Sequence, residues 1–151
     1  MIQRWATGKG IVGTVRAGLF DERETRFIDV IAGPGGRVFA GTMPTGDRLG
    51  RLYRIDRDGS ATVVDRDLDI PNGMGFSADR STFYLAVSDD QVIYAYDYEE
   101  ASGNVSNRRV FVDTSEESGV PDGLTVDADG SIWCARSDDH AIDRYDADGA
   151  H

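Results

Sequence analysis

The chain has 151 residues, enough for one domain and one core. Its net charge of −11 comes from 21 Asp and 6 Glu against 15 Arg and one Lys, Lys9; an acidic surface repels phosphate, so nucleic acid is not an expected partner. No run approaches the roughly 18 apolar residues of a membrane span, so none is expected there either.

No stretch sustains an i, i+3, i+4 apolar pattern, which predicts almost no helix. In chain order, Ile2–Trp5 and Val12–Val15 read as the third and fourth strands of an incomplete unit. Three similar segments follow, beginning at Ile28, Asn72 and Asp122, with starts 44 and then 50 residues apart. Each opens on short alternating apolar positions, turns on Gly, Asp or Pro, and resumes as an apolar run ending in Ala. Third strands come next at Leu52–Asp56, Ile93–Asp97 and Ile142–Asp146. Turns at Arg57–Gly59, Tyr98–Gly103 and Ala147–Gly149 follow them, and fourth strands are expected at Ala61–Val64 and Arg109–Val112.

A period of this length with strands at its head predicts an all-β fold, a β-propeller of four-stranded antiparallel blades. A blade remnant is expected over residues 1–25, blades over 26–70 and 71–120, and an incomplete blade over 121–151. Propellers close with about four to eight blades, and some three per chain leave edges open. Two resolutions stand: a piece of a longer or engineered propeller, or a homodimer whose two copies complete one six-bladed ring.

Superposed repeat positions lie at equal depth around a central channel, so Asn72 and Asp122 are expected to face one spot. Each sits between Pro and Gly, in Pro71-Asn72-Gly73 and Pro121-Asp122-Gly123. Pro fixes the approach of the chain and Gly tolerates the tight backbone after it. One amide oxygen and one carboxylate suit a hard cation such as Ca²⁺ or Mg²⁺; Asn-Gly and Asp-Gly are equally ordinary turn residues. His140 and His151 are isolated, so no zinc cluster is visible.

Cys134, the lone cysteine, lies in the apolar run Ile132–Ala135 and reads as a buried structural thiol. Ser88 and Ser137 have no His and Asp partners for serine-hydrolase chemistry. Trp5 and Trp133 read as core aromatics between blades. The N-terminus lacks the pattern of a secretory signal, so a cytoplasmic location is expected. The Asp excess beside a single Lys resembles adaptation to concentrated salt; an acidic protein from a high-GC genome shares that composition.

Arg26-Phe-Ile-Asp-Val-Ile, Gly36–Met43, Pro71–Ser77 and Pro121–Trp133 resemble the regucalcin/gluconolactonase/luciferin-regenerating-enzyme family in order and spacing. That resemblance implies a six-bladed propeller with one divalent cation at its centre, usually Ca²⁺, with Mg²⁺, Mn²⁺ or Zn²⁺ as alternatives. It implies hydrolysis of a sugar-type lactone or ester. Asn72 and Asp122 correspond to metal ligands, Asp122 also to the general base, and Arg26 to a substrate-contacting arginine. Asp29, beside the head of the first repeat, is a weaker substrate-binding candidate. Two departures are visible. The family carries Asn where this chain has Ile28, and it takes a Glu ligand from an N-terminal Glu-Gly-Pro segment not found here. A catalytically silent binding or scaffold propeller, or an engineered half-propeller, therefore stands beside the lactonase reading.

Overall fold

The computed structural model describes residues 2–16 and 24–151; residue 1 and residues 17–23 of the expected remnant lie outside the described residues. Strands β1 (Ile2–Ala6) and β2 (Gly10–Arg16) form an antiparallel hairpin. A first four-stranded sheet runs in chain order through β3 (Phe27–Gly33), β4 (Arg37–Thr42), β5 (Gly50–Ile55) and β6 (Ala61–Leu68). The second repeats that meander with β7 (Pro71–Phe76), β8 (Thr82–Val87), β9 (Val92–Glu99) and β10 (Asn104–Asp113). The third has three strands, β11 (Val120–Val126), β12 (Ile132–Ser137) and β13 (Ala141–Tyr145), leaving β13 at an open edge where β6 and β10 have no counterpart. All neighbours are antiparallel. A single 3-10 turn, Pro34–Gly36, is the one helical piece among the described residues. No helix there is long and apolar enough to cross a membrane.

These are the blades of a β-propeller, and side-chain alternation explains how they stack. On β8, Phe83, Leu85 and Val87 face the first sheet, while Tyr84 and Ala86 face the third. One strand thus feeds two cores. The first core adds Phe39, Leu52, Leu68, Met74 and Tyr96. The second adds Ile93, Ala95, Ile132, Cys134 and Tyr145. Phe39, Phe76, Phe83 and Tyr98 interlock, their ring centroids 4.9–6.0 Å apart where they pair, as aromatic quadrupoles favour. Inner strand β7 runs between β3 and β11, so the three repeat heads end up side by side.

Two expectations need correction. The outer strands β6 and β10 run past the apolar stretches Ala61–Val64 and Arg109–Val112. An outer strand has one flank in solvent and tolerates Asp65, Arg66 and Arg108 along its length, so hydrophobicity understates its extent. Trp5 and Trp133 are not core residues: they are 67% and 41% exposed. On β12, Ile132, Cys134 and Arg136 turn into the core, which sends Trp133 to the opposite face. Among the described residues no sheet covers that face. Ile142 on β13 lies bare on it too, at 68% exposure.

Candidate functional site

The centre is built at the entrances of β7 and β11. Pro71 starts β7 and Pro121 follows the first residue of β11, and the half-buried Asn72 and Asp122 come next. The Asn72 amide Nδ2 donates a hydrogen bond to Asp122 Oδ1, so the two repeat heads meet across neighbouring sheets. Gly73 permits the approach. A Cβ there would collide with the backbone of Asp122 and Leu124, so only glycine lets β7 pass β11 so closely. Just upstream, Ile70 holds a φ of 63°, a region costly for a β-branched residue, and its carbonyl accepts the Ser88 N–H at 3.1 Å. Strain of this kind persists only where surrounding contacts enforce it, and it clusters at functional sites.

Sequence reasoning missed the role of Ser88. It is 4% exposed, so it is no nucleophile for an incoming substrate. Its Oγ donates to the Pro121 carbonyl at 2.8 Å and accepts from Asn72 Nδ2 at 3.3 Å. A signal existed. Thr42, Ser88 and Ser137 place a hydroxyl at the same point of each repeat, two residues after the Ala that ends the apolar run.

Asp69, which precedes Ile70, and Asp89 and Asp90, which follow Ser88, lie near one another, with Arg108 also acting on Asp90. Burial, then the neighbouring Asp89 carboxylate, pushes the Asp69 carboxyl up. Burial, then Asp69, does the same for Asp90.

The donor set suits a hard cation in type, since amide and carboxylate oxygens are what Ca²⁺ and Mg²⁺ take. It is short in number: two side chains against the roughly six to eight oxygens of calcium. Among the described residues no group of three or more His, Cys, Asp or Glu could hold a metal. Ile28, at the matching head of the first repeat, is half-buried and offers carbon alone.

For the other two candidates the hydrogen bonds seen are local. Arg26 is exposed, and its carbonyl accepts the Met43 N–H at 2.9 Å. Asp29 is half-buried and accepts the Val30 N–H at 2.8 Å. Asp29 also lines a groove of about 580 Å³ with Val30, Met74, Gly123, Trp133 and Ile142 among its walls. Neither Asn72 nor Asp122 lines this groove. It follows the bare face of the third sheet and is mostly apolar, which suits packing better than hydrolysis.

Known proteins give the centre its context. Residues 6–151 match the family described as SMP-30/Gluconolactonase/LRE-like region. The chain is 48% identical to the pentonolactonase XacC of Haloferax volcanii, the match covering 93% of this chain and 50% of that protein. The structure of a calcium-binding regucalcin from Agrobacterium tumefaciens superposes with a TM-score of 0.88 at 30% identity, covering 96% of this chain and 50% of that one. A gluconolactonase of Xanthomonas campestris shares the fold, with a TM-score of 0.80 at 24% identity over 98% of this chain and 52% of that one. The chain thus spans about half the length of the relatives it matches. With its repeat heads, its blades and this match over nearly every residue, the chain belongs to the SMP-30/gluconolactonase/LRE-like family.

Proposed function

We infer that the chain is part of a metal-dependent hydrolase of small, sugar-type lactones or esters, active once its ring is complete. The observation that carries this is the meeting of the Asn72 amide and the Asp122 carboxylate across two blades. The match to a pentonolactonase supports the substrate class, and the match to a calcium-binding regucalcin supports a divalent cation, Ca²⁺ first and Mg²⁺, Mn²⁺ or Zn²⁺ as alternatives.

Asn72 and Asp122 would hold the cation, with the remaining ligands coming from water and from outside the described residues. When bound, such a cation would supply Lewis-acid polarisation of the lactone carbonyl and a positive charge beside its developing oxyanion. Asp122 accepts a proton from the attacking water as the new C–O bond forms. The ring C–O bond then breaks, and that proton passes to the departing oxygen to give the hydroxy acid. In this reading Arg26 and Asp29 contact a substrate that extends from the centre toward the first blade.

Ring completion comes from a second copy in this reading. Residues 2–16 carry Arg4, Lys9 and Arg16 and no acidic residue, whereas residues 120–151 carry eight Asp against two Arg. The basic hairpin exposes Trp5, Ile11 and Val12, and the acidic third sheet exposes Trp133 and Ile142. Opposite charge and matching apolar faces make the hairpin of one chain a suitable cover for the third sheet of another.

The deciding experiment assays the purified chain on pentono- and gluconolactones, with calcium and after chelation. Hydrolysis that chelation abolishes and calcium restores, falling about 10²–10⁴-fold in Asp122→Ala, is the expected result. Turnover that chelation leaves unchanged, or that Asp122→Ala retains at the wild-type rate, would overturn it. Ile28 favours a second reading, a silent binding propeller, because an aliphatic side chain stands where a ligand-bearing head is repeated. Under that reading the wild-type chain shows no turnover, and Ile28→Asn creates none.

A further inference from the structure

The polarity of the hydrogen bonds around Ser88 fixes which atom Asn72 can offer to a ligand. A serine hydroxyl carries one proton, and Ser88 spends it on the Pro121 carbonyl at 2.8 Å. Toward Asn72, therefore, Ser88 Oγ acts solely as an acceptor, and the amide must turn an Nδ2 hydrogen to it, at 3.3 Å. The other Nδ2 hydrogen goes to Asp122 Oδ1. Both amide hydrogens are then committed, and Oδ1 is the one atom of the amide left for another partner. The Asp122 bond alone would orient the amide only while that carboxylate oxygen has no other duty. Ser88 takes its direction from a main-chain carbonyl, which neither titrates nor moves with a ligand. It also ties the end of β8 to β11, so one side chain sets both the amide's face and the spacing of the two heads.

We propose that Ser88 is a positioning residue that locks the Asn72 amide with its oxygen presented as a cation ligand. This rests on the reading of Asn72 and Asp122 as a cation centre, and it adds the device that orients the neutral member of the pair. Groups one shell out from a metal's ligands commonly change affinity by about 10–100-fold when removed.

The test has a metal-free arm and a calcium arm. In ¹⁵N-labelled, chelated protein, the Asn72 side-chain NH₂ signals should be protected from exchange. Ser88→Ala should move them toward a free amide, and Ser88→Thr, which keeps the hydroxyl, should leave them near wild type. In calcium titrations followed by thermal shift, Ser88→Ala should weaken binding about tenfold or more. The same change should cost nothing in an Asn72→Asp background, because a carboxylate has oxygen on both sides and needs no orienting. Asn72 signals that exchange like a free amide in the wild type, or that Ser88→Ala leaves unchanged, overturn the proposal. So does an equal calcium loss in both backgrounds, which would make Ser88 a mere clasp. Should Ser88→Ala unfold, wild-type exchange and Ser88→Thr carry the decision alone. A wild type with protected Asn72 signals but no calcium response supports Ser88's role and removes the cation reading.

Discussion

At the scale of single residues, the centre depends on how little room β7 and β11 leave between them. Gly73→Ala inserts a methyl against the backbone of Asp122 and Leu124, which cannot yield as a side chain would. The expected outcome is a loss of about 1–3 kcal/mol in chemical denaturation, with any calcium-induced shift lost as the heads separate. Gly123→Ala, with nothing within 4 Å, is the matched control and should be close to neutral. A Gly73→Ala chain as stable as wild type would mean the strands do not approach so closely. Cys134 offers a second check. Burial pushes its thiol up to about 11 from an ordinary 9.0. The unfolded chain therefore loses the thiol proton first, and stability should decline as pH rises from about 9 to about 11. Maleimide labelling should be slow in buffer and fast in denaturant; fast labelling of the folded chain would contradict burial.

At the scale of elements, the turns repeat as faithfully as the strands. Asp127 Oδ1 accepts the N–H groups of Asp129 and Ser131, and Asp146 Oδ1 those of Asp148 and Ala150, all at 2.9 Å. Asp58 accepts from Ser60 and Asp79 from Ser81 in the same manner. Hydrogen bonds, from the Ser77 hydroxyl first, hold the Asp79 carboxyl down at about 2, and those of Ser60 and Trp133 lead the downward shifts at Asp58 and Asp127. A lowered carboxyl contributes stability above its ordinary value of 3.8 and loses it as pH falls toward 2. The urea midpoint should drop across that interval; a midpoint unchanged from pH 4 to pH 2 would show the turns contribute nothing. Turns and strands were legible in the sequence because period-two alternation and Asp-Gly punctuation are local. What the sequence concealed was non-local. Ser88 gains its meaning from Pro121, 33 residues on, in another sheet. Alternation on β12 sets Trp133 opposite Ile132 without saying whether that face is covered. Asn72 and Asp122 were found because a repeat converts distance along the chain into adjacency in space.

At the scale of the whole molecule, two unlike surfaces among the described residues expose large apolar side chains, the basic hairpin and the outer face of the third sheet. Trp133→Asp places a charge in the centre of the second. If that face receives another copy, wild-type protein should elute with the mass of two chains in light scattering and Trp133→Asp with the mass of one. A wild-type chain that stays single at every accessible concentration would leave the face to some other occupant, the rest of a longer propeller foremost. The unfinished rim along β13 carries a further consequence. If copies associate through these two unlike surfaces, contact would run head to tail, and nothing in such a contact says when to stop. Were the chain half of a six-bladed circle, as proposed above, it would turn through half a revolution, so that a second copy would meet the first and assembly would end there. In that assembly a change in blade angle would leave the circuit open, and the same rim would then build fibres.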